Sequence, residues 1–154
     1  MEIQEADIIK TMQWTVDNIL IPHFMALDLN ATGEWRENVK VRAENGNGII
    51  SGRKYTNQLV NGREPGKMPP IAPLEKWAQA KLGLSGQQAR SAAFAIAKKI
   101  AQEGTEIYKD GGTDLLEILE SPDTKRKIAE NLQQRYAVQV KLFLEREIKK
   151  QWQQ

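Results

Sequence analysis

The sequence predicts an α+β fold in which several helices pack on a small antiparallel sheet or hairpin, and in which a long helix ends the chain. Two patterns indicate this fold. Apolar residues recur at three- and four-residue spacings in several stretches, as on one face of a helix, whereas one short stretch alternates with a period of two, as in a strand. Because 154 residues fall in the usual range for one compact domain, we expect a single domain over 1–154, with a core over about 1–112 and a C-terminal helical extension over about 113–154.

The first amphipathic helix is predicted from about Glu5 to Asp28, where apolar side chains share one face. Pro22 lies inside this pattern. Because proline lacks an N–H and crowds the preceding turn, we expect it to kink the helix or to end it near Ile21.

A β-hairpin is predicted next. Residues 39–44 alternate apolar and charged side chains, residues 44–48 supply the positive-φ positions of a turn, and residues 49–52 begin a returning strand. Glycine and proline are then frequent from Thr56 to Pro73, which predicts a long loop without regular structure.

Two further helices are predicted after this loop. Proline suits a first turn, so a short helix starts at Pro73, and Gly83 can close it in the left-handed conformation. Ser85 and Gln88 have the spacing of a capping box at the start of a second helix, which Gly104 ends. Its apolar face is mostly alanine, so a neighbouring element can approach its backbone closely.

The last part of the chain predicts helices again. Thr113 is expected to cap a short helix, and Ser121 with Pro122 forms the N-cap and first turn of a long terminal helix. Its apolar residues are spaced by four throughout: Ile128, Leu132, Tyr136, Val140, Leu144, Ile148 and Trp152. Because this period slightly exceeds 3.6 residues, the stripe winds around the helix and can serve more than one partner.

The side chains that catalysis or metal binding needs are scarce, so we expect no enzyme and no cofactor. The chain has no cysteine and a single histidine, His23, which cannot assemble a zinc or iron site by itself. No apolar run approaches the length that crosses a membrane, and the first residues carry no export signal, so no membrane partner is expected.

Positive charge is concentrated between Trp35 and Met68, although the net charge of the chain is only +2. The candidate basic surface consists of Arg36, Lys40, Arg42, Arg53 and Lys54. Such a surface can face DNA or pair with acidic protein surfaces, and the sequence leaves both open.

The most distinctive stretch runs from Gly62 to Trp77, where four prolines fix the backbone of a loop that leads into a helix. Its R-x-P-G-K-x-P-P motif is accompanied by Gly33-Glu34-Trp35 upstream and by an A-R-S-x-A-F helix and Gly104-Thr105 downstream. Over about Trp35 to Gly112, this combination resembles small virion proteins of tailed bacteriophages, of the neck or head-tail joining, tail-completion and minor tail family.

This resemblance implies a structural virion protein, assembled in the bacterial cytoplasm, whose copies form or join an axial ring and contact the portal or adjoining neck and tail proteins. It implies no catalytic residue. On this basis the candidate interface loop consists of Arg63, Pro65, Gly66, Lys67, Met68, Pro69 and Pro70, and Trp77 anchors its helix to the core. The alternatives are a DNA-binding packaging accessory protein and a helical assembly chaperone that is absent from the mature particle.

Overall fold

The structure, a computed structural model, describes residues 4–152 and the side chains of residues 4–150, so the Trp152 side chain of the predicted stripe lies outside the described part. The predicted α+β class is confirmed, with a two-stranded antiparallel sheet and a long C-terminal helix. The chain forms two compact units. The first comprises Met1–Ile21, Lys40–Ser51 and Glu117–Gln154, and the second comprises Pro22–Val39 and Gly52–Leu116. The boundary near residue 112 between a core and an extension stays a prediction.

The first unit starts with helix α1, Glu5–Thr15, which continues through a π-helical segment, Val16–Leu20, into helix α2, Ile21–Ala26. The disturbance that proline predicts near Ile21 therefore takes the form of a widened turn. The N–H of Ile21 bonds to the carbonyl of Val16, five residues back. Such a bulge accommodates a residue that has no N–H to donate and whose ring crowds a regular turn.

The predicted hairpin is confirmed in the same unit. Strand β1, Lys40–Glu44, pairs antiparallel with strand β2, Asn47–Ser51. Both residues of the turn have positive φ, +51° at Asn45 and +78° at Gly46, which matches the twist of the flanking strands. Gly48 lies against α1, where an added Cβ would come within 2.5 Å of the Met12 side chain, so a small residue here lets the hairpin and helix approach closely.

Helix α8, Pro122–Trp152, completes the first unit after a 3-10 turn at Glu117–Glu120. The predicted cap is confirmed, because the N–H of Thr124 donates to Ser121 Oγ at 3.2 Å. The helix packs along α1, where the Gln139 amide donates to the buried carboxylate of Asp7. This bond satisfies an acid that would otherwise be costly to bury.

The second unit is helical. After α2 it contains α3, Glu34–Glu37; α4, Thr56–Asn61; α5, Ile71–Leu82; α6, Gly86–Glu103; and α7, Glu106–Lys109. Helices α5 and α6 pack together, and their fully buried residues are alanines: Ala78, Ala89, Ala93 and Ala97. The predicted alanine face of α6 is therefore confirmed. The rings of Phe24 and Trp35 stack with centroids 4.5 Å apart.

The loop predicted over 56–73 is partly wrong, because its first six residues form α4 and α5 begins at Ile71. Residues 56–61 contain neither glycine nor proline, and the Asn61 amide donates to Asn57 Oδ1 one turn earlier at 2.6 Å. Glycine and proline are confined to the remaining residues, so only these stay irregular. The predicted cap at Gly83 is confirmed, with φ +66° and ψ +18°.

Two predicted caps are wrong. Ser85 occupies the N-cap position of α6, but its side chain makes no capping hydrogen bond. The next residue, Gly86, has φ +51°, so the first turn lacks the regular geometry that a capping box requires. Thr113 caps no helix, because its hydroxyl donates to the carbonyl of Leu59 at 2.8 Å.

Candidate interface loop and basic surface

The candidate interface loop is attached to the corner between α6 and α7 by two backbone–backbone hydrogen bonds and one bond to a threonine hydroxyl. The N–H of Arg63 donates to Thr105 Oγ1 at 2.9 Å, and the N–H of Thr105 donates to the carbonyl of Arg63 at 2.9 Å. The N–H of Gly66 donates to the carbonyl of Ala101 at 2.8 Å. These three hydrogen bonds, which involve Arg63 and Gly66 of the loop, hold residues 62–66 in place. We call residues 62–66 the crossing.

Glycine is required both in the crossing and in the segment to which it bonds. At Gly62, which has φ +72°, an added Cβ would lie 2.3 Å from the backbone nitrogen of Tyr108. At Gly104, which has φ +81°, it would lie 2.8 Å from the carbonyl oxygen of Arg63. Both the positive φ and the close approach exclude a larger residue. The structure thus brings together two parts of the distinctive sequence pattern that lie about forty residues apart along the chain.

The loop residues divide into internal and exposed ones. Arg63 is half-buried and its guanidinium donates to the carbonyl of Lys67 at 3.0 Å, which ties the two ends of the tip together. Pro69 is buried. The exposed residues are Pro65, Gly66, Lys67, Met68 and Pro70. Met68 retains 40% of its accessible surface, so the tip offers one cation and one large apolar side chain to a partner.

A polar cleft of about 470 Å³ lies beside the loop, between the end of α4 and α7. Its lining includes Asn57, Gln58, Asn61, Arg63, Lys67 and Tyr108. Within residues 4–150, the charged groups of Arg63, Glu64 and Lys67 at its rim form no ion pair. This rim therefore has charges that a partner can neutralise.

The candidate basic residues are all exposed, but they are divided between the two units. Lys40 and Arg42 lie on β1 of the first unit, whereas Arg36, Arg53 and Lys54 belong to the second.

Two of the five lie near carboxylates. Arg42 is 3.9 Å from Glu44, and Arg53 is 3.3 Å from Glu34. Burial, with a contribution from Glu34, raises the pKa of the neighbouring Tyr55 phenol, while Arg53 opposes the shift. The other three make no ion pair with any described side chain.

Trp77 does not anchor its helix as predicted. It retains 38% of its accessible surface, whereas the adjacent Ala78 is fully buried, because the close packing of α5 on α6 leaves room there only for a small side chain. His23 lies 2.9 Å from a carboxylate oxygen of Asp114. Among the residues described, no cluster of three or more histidine, aspartate or glutamate side chains is suited to hold a metal ion.

The sequence pattern did not predict one exposed apolar surface. Large apolar side chains of the second half of α8 are exposed: Val138, Leu142, Phe143, Leu144 and Ile148. The predicted stripe includes only Leu144 and Ile148. The four-residue step from Val138 to Leu142 was the available signal for a second row.

No protein-family model, curated protein or solved structure matches this chain. Across the part of the chain that the structure describes, none of the helices combines the length and apolar character needed to cross a membrane. The function therefore has to be argued from the loop, the charged residues and the exposed end of α8.

Proposed function

We propose that this chain is a structural virion protein of a tailed bacteriophage, which forms or joins an axial ring in the neck or tail and connects portal and tail components. The observation that carries the proposal is the crossing, where Arg63 and Gly66 bond to a distant segment and so order the loop that carries the exposed Lys67 and Met68. The resemblance of the loop motif to neck and tail proteins supports it.

A loop held in this way suits repeated assembly contacts. Because the backbone is already ordered, binding a partner costs less conformational entropy than ordering a flexible loop would. In a ring each copy presents the same loop to the next, so a modest contact is repeated around the axis. The Lys67 and Met68 tip is suited to another copy, to the portal or to an adjoining ring.

The test is to assay particles made with variant copies of the gene. Lys67→Glu reverses the charge at the loop tip, and Lys98→Glu on α6 is the matched control, because Lys98 is also exposed and belongs to the same unit. We expect the Lys67→Glu chain to fold but to be depleted from purified particles, whereas the control chain is incorporated normally. Absence of the unmodified chain from mature particles would overturn the proposal and would favour the assembly chaperone instead.

The runner-up is a DNA-binding packaging accessory protein. It is favoured by Arg36, Lys40 and Lys54, which are exposed cations without an ion-pair partner within residues 4–150. Contacts of lysine and arginine with phosphates weaken steeply as salt rises, because bound counterions are released on binding. DNA binding by the purified chain with a steep salt dependence, lost on changing these three residues to glutamine, would favour this function over ring contacts.

A further inference from the structure

The polar cleft beside the crossing is built by three neighbouring segments of the chain. Its lining comes from α4, the loop and α7: Asn57, Gln58, Asn61, residues 62–65, Lys67 and Tyr108. All of these residues belong to the second unit, so the shape of the cleft is set within one compact body. Its volume of about 470 Å³ is that of an ordinary ligand pocket, which leaves room for a few residues of an extended chain.

The charged groups of the lining leave an excess of one positive charge. Arg63 and Lys67 are cations, and Glu64 is the only acid among the lining residues. Within residues 4–150, none of the three forms an ion pair. A cleft focuses the field of the charges that line it, so the excess charge attracts an anionic group more strongly than it would on an open surface.

Arg63 is held in place and still has donors to offer. Its guanidinium donates to the carbonyl of Lys67 at 3.0 Å, and its backbone N–H and carbonyl bond to Thr105 in the crossing. A guanidinium carries five N–H groups in a rigid plane, so the bond to Lys67 leaves a further pair for the two oxygens of a carboxylate. Because Arg63 is already ordered, this binding costs less conformational entropy than it would at a flexible arginine.

The side-chain amides of α4 suit a peptide backbone beside that carboxylate. The Asn61 amide donates to Asn57 Oδ1 at 2.6 Å, which leaves the Asn57 amide nitrogen and the Asn61 carbonyl oxygen for other partners. The Gln58 side chain bonds to no described group. A side-chain amide both donates and accepts, as the N–H and carbonyl of a peptide do, whereas the phosphates of a nucleic acid only accept. The lining therefore favours a peptide.

We propose that this cleft binds an extended acidic segment of an adjoining protein. A glutamate or aspartate carboxylate of that segment binds Arg63 and Lys67, and its peptide backbone lies along the amides of α4. The inference rests on the proposed function for the particle in which the two proteins meet, and it adds the chemistry of the partner. Charge pairing of this kind helps to set the register of a contact and speeds its formation.

The experiment is an NMR titration of the full-length chain with a tetraglutamate peptide whose ends are blocked. A blocked tetraglutamine peptide of the same length is the neutral probe. We expect saturable binding of tetraglutamate, with the largest shifts at the backbone amides of residues 57–67, and a Kd for tetraglutamine that is higher by about tenfold or more. Equal binding of the two peptides, no saturable binding, or shifts centred on the candidate basic surface would each overturn the proposal.

Replacement of a single cation locates the contact. Lys67→Met removes an ammonium that bonds to no described group, so the loop should keep its shape while the Kd for tetraglutamate rises about fivefold. Lys98→Met is the matched control, because Lys98 is exposed in the same unit but does not line the cleft. We expect it to leave the Kd unchanged. An equal rise in both variants would reduce the effect to the net charge of the chain and would overturn the proposal.

A nucleic acid is tested with a single-stranded oligonucleotide of the same charge as tetraglutamate. We expect the oligonucleotide to bind the cleft more weakly than the peptide does. Gln58→Leu keeps the size of the side chain and removes its amide, so it should raise the Kd for tetraglutamate about threefold and leave the Kd for the oligonucleotide unchanged. Tighter binding of the oligonucleotide at the cleft would overturn the acidic peptide in favour of a nucleic acid.

These results are distinguishable from failure of the proposed function. A chain that is present in an axial ring but binds no tetraglutamate would overturn only the cleft, whereas a chain that binds tetraglutamate in the cleft but is absent from particles would overturn only the virion role.

Discussion

The crossing and the exposed end of α8 are both surface features, but they differ in what completes them. At the crossing, residues 62–66 are held by hydrogen bonds to the backbone of residues 101–105 and to the Thr105 hydroxyl of the same chain. At the end of α8, large apolar side chains keep about half of their accessible surface, as Leu142 does at 54% and Leu144 at 52%. The hydrogen bonds within the chain order the first surface, whereas the packing of the second is incomplete, so the two should respond differently to substitution.

The largest effect is expected from breaking the crossing at Gly62. Gly62→Ala would place a Cβ 2.3 Å from the Tyr108 backbone nitrogen, and it should lower the free energy of unfolding by about 3 kcal/mol or more. Gly83→Ala is the matched control, because Gly83 also has positive φ, +66°, but has open space around it; we expect a loss of about 1 kcal/mol. Urea unfolding measures both, and equal losses would show that the close approach does not matter.

A smaller effect is expected from removing the hydroxyl at the crossing. Thr105 Oγ1 accepts hydrogen bonds from the N–H groups of Arg63, at 2.9 Å, and Tyr108, at 3.3 Å. Thr105→Val keeps the shape and loses both bonds, which should cost about 1–2 kcal/mol and speed hydrogen exchange at the Arg63 amide. Thr105→Ser retains the acceptor and should stay close to the unmodified chain. If serine and valine behave alike, the hydroxyl does not hold the loop.

The two parts of α8 should respond differently to the same substitution. Leu132 is half-buried and Leu144 is 52% exposed. Leu132→Gln should lower the free energy of unfolding by about 1–2 kcal/mol, and Leu144→Gln by less than about 0.5 kcal/mol. A comparable loss at Leu144 would mean that the end of α8 is buried within its own chain.

The smallest effect concerns an ion pair at the α6–α7 corner. The Lys109 ammonium, 2.9 Å from the carboxylate, lowers the pKa of Glu103 through a hydrogen bond and its charge. Because the folded pKa lies below the unfolded one, the stabilisation is present above the unfolded pKa and is lost as pH falls through the folded pKa. Lys109→Met should raise the pKa of Glu103 in an NMR titration. Lys98→Met is the control, and an equal change there would contradict the assignment.

Elements with a local signal were predictable from sequence. The hairpin followed from its alternation and turn residues, and α6 followed from its alanine spacing. The six residues of α4 have a weak pattern and adjoin a stretch rich in glycine and proline, so the sequence predicts a loop there. The resemblance predicts Trp77 as the anchor of its helix, but in α5 the neighbouring Ala78 is the fully buried residue, and Trp77 keeps 38% of its accessible surface.

The candidate site was predictable only in part. The loop residues could be chosen from their motif, but their attachment depends on a bond between Arg63 and Thr105, which are 42 residues apart. No local spacing reveals such a pairing. For the same reason, a row of apolar residues in sequence does not say which members are partly buried, as Leu132 is, and which stay exposed, as Leu142 does.

The most direct measurement of the virion role is cryo-electron microscopy of purified particles of a tailed phage that encodes this chain, with mass spectrometry to confirm its presence. We predict an axial ring in the neck or tail, with the Lys67 and Met68 loop tips at contacts between subunits or with the adjoining ring. Particles that are complete and infectious without the chain, or that hold it away from the axis, would contradict the proposal.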